Sequence, residues 1–240
     1  MLSQAEKGGV QNTIQNCVTV LQNDPVLADS IRLNLLSERI DIVKPMGWQR
    51  SGPTLTDTDM MYILRRMEKY GLYSEKRVSA AIRIVANENH YHPIRDYLND
   101  LKWDGTERIS HALHRFLGAA EDELTAEALK IFLLGAIKRV FHPGCKFEMM
   151  LCLVGGQGAG KSSFFRLLAI KDEWFSDDLR RMDDDNVFRK LQGHWIMEMS
   201  EMIATANAKS IEEIKSFLSK QKETYKVPYE THPADRLRQC

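Results

Sequence analysis

The chain has 240 residues, with 33 basic and 33 acidic side chains and therefore a formal net charge of zero. Hydrophobic residues make up 43% and charged residues 28% of the sequence, an ordinary balance for one large globular domain or two small ones. The neutral balance excludes a diffuse basic surface, so any contact with nucleic acid must be local.

The sequence gives no sign of a membrane or secreted protein. No apolar run approaches the ~20 residues that span a bilayer, and the N-terminus lacks a signal-peptide pattern. The 4 cysteines are scattered and form no CxxC pair, which argues against a disulfide framework or a zinc site. We therefore expect a cytoplasmic protein with no membrane partner.

Residues 1–53 are predicted to form a mixed α/β segment. Ile14, Val18 and Leu21 recur at helical spacing, and apolar residues then alternate with a period of two between residues 31 and 42, as in strands.

Residues 54–144 are predicted to form a mainly helical module. One helix is predicted to start at Thr56 or Thr58 and to end at Gly71, and a second is predicted to start at Ser74. Several short helices in succession are compatible with a DNA-binding winged or helix-turn-helix bundle. They are equally compatible with a helical scaffold that packs on a catalytic core.

Two further helices are predicted in the second half of this module. Thr106 is expected to cap a helix that runs to Phe116, and Thr125 is expected to cap a long amphipathic helix that ends at residues 142–144.

After residue 144 the pattern becomes that of an α/β domain, predicted over residues 145–240. Residues 147–154, Phe-Glu-Met-Met-Leu-Cys-Leu-Val, form a near-continuous apolar run, as expected for a strand covered on both faces. The next segment matches GxxxxGK[ST], a phosphate loop between a strand and a helix. Its residues are Gly155, Gly156, Gln157, Gly158, Ala159, Gly160, Lys161, Ser162 and Ser163.

The residue types of this loop suit a nucleoside triphosphate, and we expect ATP and Mg²⁺ as ligands. Glycines let successive backbone N–H groups point at phosphate oxygens, and the N-terminus of the following helix adds a positive dipole. Lys161 is expected to reach the terminal phosphates, and the hydroxyl of Ser162 is expected to bind Mg²⁺.

A phosphate loop needs an acidic partner at the end of a neighbouring strand. The apolar stretch 195–199 carries Glu198 and is followed by Glu201. Glu198 is predicted to bind Mg²⁺ through a water molecule, in the place of a Walker B acid, and Glu201 is predicted to orient the attacking water. A rival acidic cluster at 183–185 is interpreted as the N-terminal cap of a helix over residues 186–191.

Several blocks of sequence occur in an order that is specific to one family. They are residues 91–98 (YHPIRDYL), 103–105 (WDG), 143–144 (PG), 155–163, 195–201 (WIMEMSE), 214–219 (IKSFLS) and 225–229 (YKVPY). With these blocks the chain resembles the virulence-associated protein E family, helicase-like ATPases of phages and mobile islands that are similar to superfamily 3 of the AAA+ class.

The resemblance implies a P-loop NTPase core of the AAA+ kind, preceded by a mainly helical N-terminal module. It also implies a role in DNA replication of a mobile element, a homo-oligomeric ring with ATP between neighbours, and a primase or other replication proteins as partners. Residues 220–228 resemble the hairpin that grips single-stranded DNA in the ring channel. Charge and stacking would come from Lys220, Lys222, Tyr225 and Lys226, although a solvated lysine-rich loop remains an alternative.

In this family, residues 236–240 would lead into a strand that carries the sensor asparagine, followed by the arginine finger. The core is therefore expected to be incomplete at its C-terminus, with nucleotide binding less affected than turnover. Two alternatives stay open: a truncated, non-catalytic protein that binds DNA or the replisome, and a small-molecule kinase that uses Arg180 and Arg181. A GTPase is disfavoured because the sequence has no NKxD motif.

Overall fold

The computed structural model describes residues 2–4, 8–179, 187–200, 208–225 and 234–240. The chain divides into two compact units, Met1–Asp96 and Tyr97–Cys240. The predicted domain boundaries, after residues 53 and 144, fall inside these units and stay predictions. None of the described helices is long and apolar enough to cross a lipid bilayer.

The first unit combines helices with a small antiparallel sheet. Its elements are α1 (Ile14–Asn23), β1 (Ile31–Asn34), β2 (Arg39–Ile42), α2 (Asp57–Met67), α3 (Glu75–Glu88) and the start of α4 (Pro93–Asp100). Ile31 pairs with Ile42 across β1 and β2, so the period-two pattern correctly predicted strands. Tyr91 extends this sheet, because its N–H donates to Leu33 O and its carbonyl accepts from Leu35 N, both at 2.9 Å.

The ends of α2 and α3 follow the predicted signals. Thr56 and Asp59 form a reciprocal capping box at the start of α2. The 3₁₀ turn after α2 ends at Gly71, whose φ of 74° is left-handed, and Ser74 accepts a hydrogen bond at the start of α3. Local capping chemistry thus sets these three boundaries.

Apolar side chains from α1, α2, α3 and the hairpin form the core of the first unit. Its fully buried members include Cys17, Leu21, Leu27, Ile31, Ile63, Met67, Leu72, Val78, Ala81 and Ile82. Beside it, the buried carboxylate of Asp59 accepts hydrogen bonds from Trp48 Nε1 at 2.7 Å and Arg50 Nε at 2.8 Å. Burial opposes ionisation of Asp59, but these bonds outweigh it and hold the pKa of the carboxyl well below its usual range.

The second unit is mainly helical and contains two short sheets in its described part. Its elements are α5 (Ile109–Leu117), α6 (Glu123–Phe141), α7 (Lys161–Leu168), β3 (Phe175–Ser176), α8 (Val187–Leu191), β4 (Ile196–Met197), α9 (Ala208–Ser219), β5 (Lys222–Tyr225) and β6 (Ala234–Leu237). Strands β3 and β4 pair in parallel, and β5 and β6 form an antiparallel pair.

The predicted cap of α5 was wrong, because α5 begins at Ile109 and not after Thr106. Thr106 N–H instead donates to Asp104 Oδ1 at 2.9 Å. Arg108 holds both oxygens of the same carboxylate, at 2.9 and 2.6 Å. Thr106 is therefore held in a compact turn that precedes the helix.

The predicted cap of α6 was also wrong, because the helix begins at Glu123 and its cap is Asp122. Thr125 lies inside the first turn and donates its N–H to Asp122 Oδ1 at 2.8 Å. Asp122 and Thr125 are both common cap residues and lie within one turn of each other, and Asp122 is the one that caps the helix.

The predicted buried strand at 147–154 is not a strand in the structure. Among the described residues, no neighbouring strand pairs with this segment, and the side chain of Val154 is 86% exposed. Leu151 and Leu153 do pack against the core formed by Leu113, Leu129 and Phe164. Hydrophobicity therefore located a segment with apolar contacts, but strand formation also needs a hydrogen-bonding partner.

Candidate phosphate-binding cleft

Helix α7 begins at Lys161, directly after the glycine loop. Gly160, its N-cap, and Gly158 both have a left-handed φ of 80°, which glycine adopts without a steric penalty. Phe164 anchors the helix in the core with Leu113 and Leu129. The loop residues 155–160, which precede the N-terminal end of α7, are exposed to solvent.

The ammonium group of Lys161 lies against the loop. Lys161 Nζ donates to Gly155 O at 3.0 Å and to Gly156 O at 2.7 Å. The cation is thereby held over the glycine loop, the region where a bound anion would contact the backbone N–H groups. Phosphate oxygens could replace the two carbonyls as acceptors without moving Lys161 to another part of the molecule.

Strand β4 places Glu198 opposite the start of α7. Trp195 N–H donates to Trp174 O at 2.7 Å, and Glu198 N–H donates to Ser176 O at 2.8 Å. The indole of Trp195 also donates to Ala136 O at 3.1 Å and so fixes β4 to α6. Glu198 follows the last residue of β4, in the strand-end position that the sequence predicted.

Ser162 and Glu198, which are 36 residues apart, meet in the cleft. Ser162 Oγ donates to Glu198 Oε1 at 2.6 Å, and Ser200 Oγ reaches the same oxygen at 3.5 Å. The other oxygen, Oε2, is buried and has no hydrogen-bond partner among the described residues. A buried carboxylate oxygen without a partner carries a desolvation cost that a cation or a water molecule would relieve.

These oxygens form a set that fits Mg²⁺. Hydroxyl and carboxylate oxygens are the hard ligands that Mg²⁺ prefers, and it usually takes only one or two carboxylates together with phosphates and water. The described residues contain no group of three or more His, Cys, Asp or Glu side chains that could hold a metal ion. A serine hydroxyl and one carboxylate would leave the remaining positions around such an ion to phosphate and water.

The cleft between the glycine loop and β4 is large enough for a nucleotide. Its volume is about 980 Å³, within the upper part of the range for small-molecule sites. Lys161, Ser162 and Glu198 line one part, while Phe132, Phe147, Trp195 and Phe217 contribute apolar surface elsewhere.

Several predicted site residues lie outside the described residues. These are Glu201, the rival cluster at 183–185, Arg180, Arg181, Lys226 and the side chain of Tyr225. Gln157, Ala159 and Ser163 are described and exposed, in or next to the loop.

The two described lysines of the predicted DNA-binding hairpin lie beside carboxylates. Lys222 Nζ is 2.6 Å from Asp235 Oδ2, across the β5–β6 pair, and Lys220 Nζ is 3.9 Å from Glu223 Oε2. Both lysine side chains remain about half exposed. Phosphate binding by these lysines would therefore compete with carboxylates already present.

A buried charged cluster that was not predicted from the sequence lies beneath this hairpin. Arg238 donates to Glu223 Oε1 from Nε at 3.0 Å and from Nη2 at 2.7 Å, and its guanidinium stacks over Phe217 at 4.1 Å. Arg238 and Glu223 are only 5% and 7% exposed. Their sequence context is polar and alternating, so no local signal marks them as buried.

Arg139 forms a second buried contact of the same unit. Its Nη2 donates to Phe147 O at 2.9 Å and to Leu218 O at 3.3 Å, and its Nη1 donates to Cys240 O. Burial lowers the pKa of Arg139. The only sequence feature that could have indicated this contact is the position of a charged residue within the apolar sequence of α6.

The fold and the cleft together define a unit in which a glycine loop and a strand-end carboxylate face one another. Residues 98–240 match the virulence-associated protein E-like domain, and the chain belongs to this family. The match includes the whole cleft and stops short of the first compact unit. None of the curated proteins matches the chain.

Proposed function

We propose that the chain binds ATP with Mg²⁺ and hydrolyses it, as a helicase-like ATPase that acts on DNA. The observation that carries this proposal is the 2.6 Å hydrogen bond from Ser162 Oγ to Glu198 Oε1. It joins the serine of a GxxxxGKS loop to the acid at the end of a parallel strand, the two groups that hold Mg²⁺ in P-loop NTPases. Membership of the virulence-associated protein E-like family indicates a protein of a phage or mobile element.

In the proposed site, the N–H groups of residues 155–163 bind the phosphates. Lys161 leaves the carbonyls of Gly155 and Gly156 and binds the terminal phosphates, while Ser162 and Glu198 hold Mg²⁺. The metal ion neutralises the charge of the β- and γ-phosphates when it is bound. Glu201 is proposed to orient the attacking water. The α/β core is proposed to be of the AAA+ kind.

The DNA strand is proposed to contact the β5–β6 hairpin. A base would stack on Tyr225, and phosphates would pair with Lys220, Lys222 and Lys226. Each of the two described lysines would exchange a carboxylate neighbour for a phosphate. Several copies of the chain are proposed to assemble into a ring, and a primase or another replication protein is proposed as a partner.

Calorimetry with ATP tests the nucleotide site. Lys161→Ala should abolish detectable ATP binding in Mg²⁺ and leave the thermal unfolding temperature unchanged, because the lysine contacts only exposed loop carbonyls. Lys171→Ala is the matched control, since Lys171 is an exposed lysine outside the loop, 3.9 Å from Glu173. Equal ATP affinity for Lys161→Ala and the parent chain would remove the basis of the proposal.

A further inference from the structure

The first compact unit contains two successive helices, α2 and α3, which are connected by a 3₁₀ turn at residues 68–70 and a further turn at residues 71–74. Gly71 opens the turn with a left-handed φ of 74°, Leu72 is fully buried, and Ser74 caps α3. The connection is therefore fixed at both ends and packed into the core. In helix-turn-helix proteins a short turn that often contains glycine joins two helices, and the second helix enters the major groove of DNA. The connection between α2 and α3 also contains glycine, but it is longer by the 3₁₀ turn at residues 68–70.

Helix α3 buries one face and exposes the opposite one. The buried side chains are Val78, Ala81, Ile82, Val85 and Ala86. Successive residues of an α-helix are about 100° apart around the helix axis. Four other side chains of α3 therefore lie within about 60° of one another, on the side of the helix opposite the buried face. They form the α3 stripe, which consists of Lys76, Ala80, Arg83 and Asn87. Lys76, Arg83 and Asn87 are exposed, and Ala80 is half-buried.

The α3 stripe contains no carboxylate. Glu75 and Glu88, the acids of this helix, lie about 80° away from the nearest member of the stripe. Glu88 accepts a hydrogen bond from Gln22 of α1 at 3.0 Å, so its carboxylate is directed towards α1. Among the described residues, no carboxylate forms an ion pair with Lys76 or Arg83. Two cations on one helix face are thus available to a negatively charged partner.

We infer that the α3 stripe binds the major groove of duplex DNA. Charge complementarity favours DNA, and the side-chain types fit base edges: arginine pairs with guanine, and asparagine pairs with adenine. Ala80, at the centre of the stripe, is small enough to let the helix backbone approach the groove. The 14 residues of α3 give a helix about 21 Å long, sufficient for a groove about 12 Å wide.

This inference does not rest on the proposed ATP site, because it uses no residue of the second unit. The family match, which begins at residue 98, does not cover α3 either. The duplex contact would add a sequence-reading site to the single-stranded DNA contact proposed for the β5–β6 hairpin.

The first experiment measures binding of the full chain to a fluorescent 20-base-pair duplex by anisotropy, at several salt concentrations. The double variant Lys76→Ala/Arg83→Ala should lose at least tenfold in affinity, and its log–log salt slope should fall by about two units. The control is Arg39→Ala/Lys44→Ala, which removes two cations of the same unit outside α3 and should keep the parent slope. If both variants lose equal affinity, or neither loses any, the inference is wrong.

The second experiment tests sequence reading. Duplexes that bind the parent chain are selected from a pool with a randomised centre. Asn87→Ala should then lose roughly 5- to 150-fold of the preference for the selected sequence over a scrambled one, without a change in the salt slope. A pool that yields no enriched sequence would refute the major-groove assignment.

Two controls show whether a loss of DNA binding results from misfolding or from a failure of the ATP proposal. The cations and Asn87 are exposed, so circular dichroism and thermal unfolding should be the same for the variants and the parent chain. ATP binding by calorimetry should also be unchanged in the α3 variants. Loss of duplex binding with unchanged ATP binding supports the inference, whereas unchanged duplex binding overturns it whatever the result with ATP.

Discussion

Glu198→Gln is the sharpest test of the cleft, because it removes a charge and preserves the size of the side chain. Ser162 Oγ lies 2.6 Å from Glu198 Oε1, and Mg²⁺ binds its oxygen ligands at about 2.1 Å. A Mg²⁺ ion on Ser162 would therefore lie no more than about 4.7 Å from this carboxylate oxygen. Loss of one negative charge at that distance costs about 2 kcal/mol in a water-like medium and about 7 kcal/mol at an effective dielectric constant of 20.

The cleft is open to solvent along the loop, so we expect a value near the lower limit. ATP affinity in Mg²⁺ should then fall on the order of 20-fold. In the presence of EDTA the same variant should bind ATP at least as tightly as the parent chain, because the carboxylate no longer repels the phosphates. The measurement is calorimetry in the two buffers, with Glu173→Gln, an exposed glutamate of the same unit, as the control.

The two buffers separate the proposed role from a structural one. A purely structural role of the Ser162–Glu198 bond would weaken binding equally with and without Mg²⁺. Equal weakening in both buffers, or unchanged affinity in Mg²⁺, would refute the assignment of Glu198 to the metal.

Three further predictions concern the hairpin and the first unit. The first replaces the three hairpin lysines with alanine at once, Lys220, Lys222 and Lys226. The log–log salt slope for binding of single-stranded DNA, measured by anisotropy, should fall by about two units. An unchanged slope would contradict the contact. Asp59→Asn should lower the free energy of unfolding by about 3 kcal/mol at pH 7. Because the pKa of Asp59 is depressed in the fold, its stabilisation is present above the unfolded pKa of about 3.9 and is lost as the pH falls further; a difference in urea denaturation that does not shrink below pH 4 would contradict this. Gly71→Ala should cost about 1 kcal/mol, since φ at this residue is 74°, whereas Gly47→Ala, at a residue with no neighbour against an added Cβ, should be nearly neutral in the same assay.

Local chemistry made the helices of the first unit predictable. The cap at Thr56, the left-handed glycine at Gly71 and the cap at Ser74 each depend on residues within one turn of the chain, and such signals can be read without knowledge of the fold. Where two cap residues competed within one turn, at Asp122 and Thr125, sequence spacing alone did not choose between them.

The glycine loop was equally predictable, because its residue types and the helix that follows are contiguous in sequence. Glu198 was predicted as the acid at a strand end, but its hydrogen bond with Ser162 was not predicted. The parallel pairing of β4 with β3 brings Glu198 to Ser162, and β3 has only two residues, too few for any periodicity to be recognised.

By itself, the sequence determined both ends of α2, the start of α3, the phosphate-loop motif and the family blocks, all of which are encoded by neighbouring residues. Only the tertiary structure decided that residues 147–154 form no strand, that Arg238 and Glu223 are buried together, and that the side chains of Lys76 and Arg83 are exposed. The physical reason is that strand pairing, burial of charge and exposure of a surface depend on which distant residues lie opposite. The hydrophobic pattern of a segment indicates that the segment makes apolar contacts, but it does not indicate which other part of the chain it contacts.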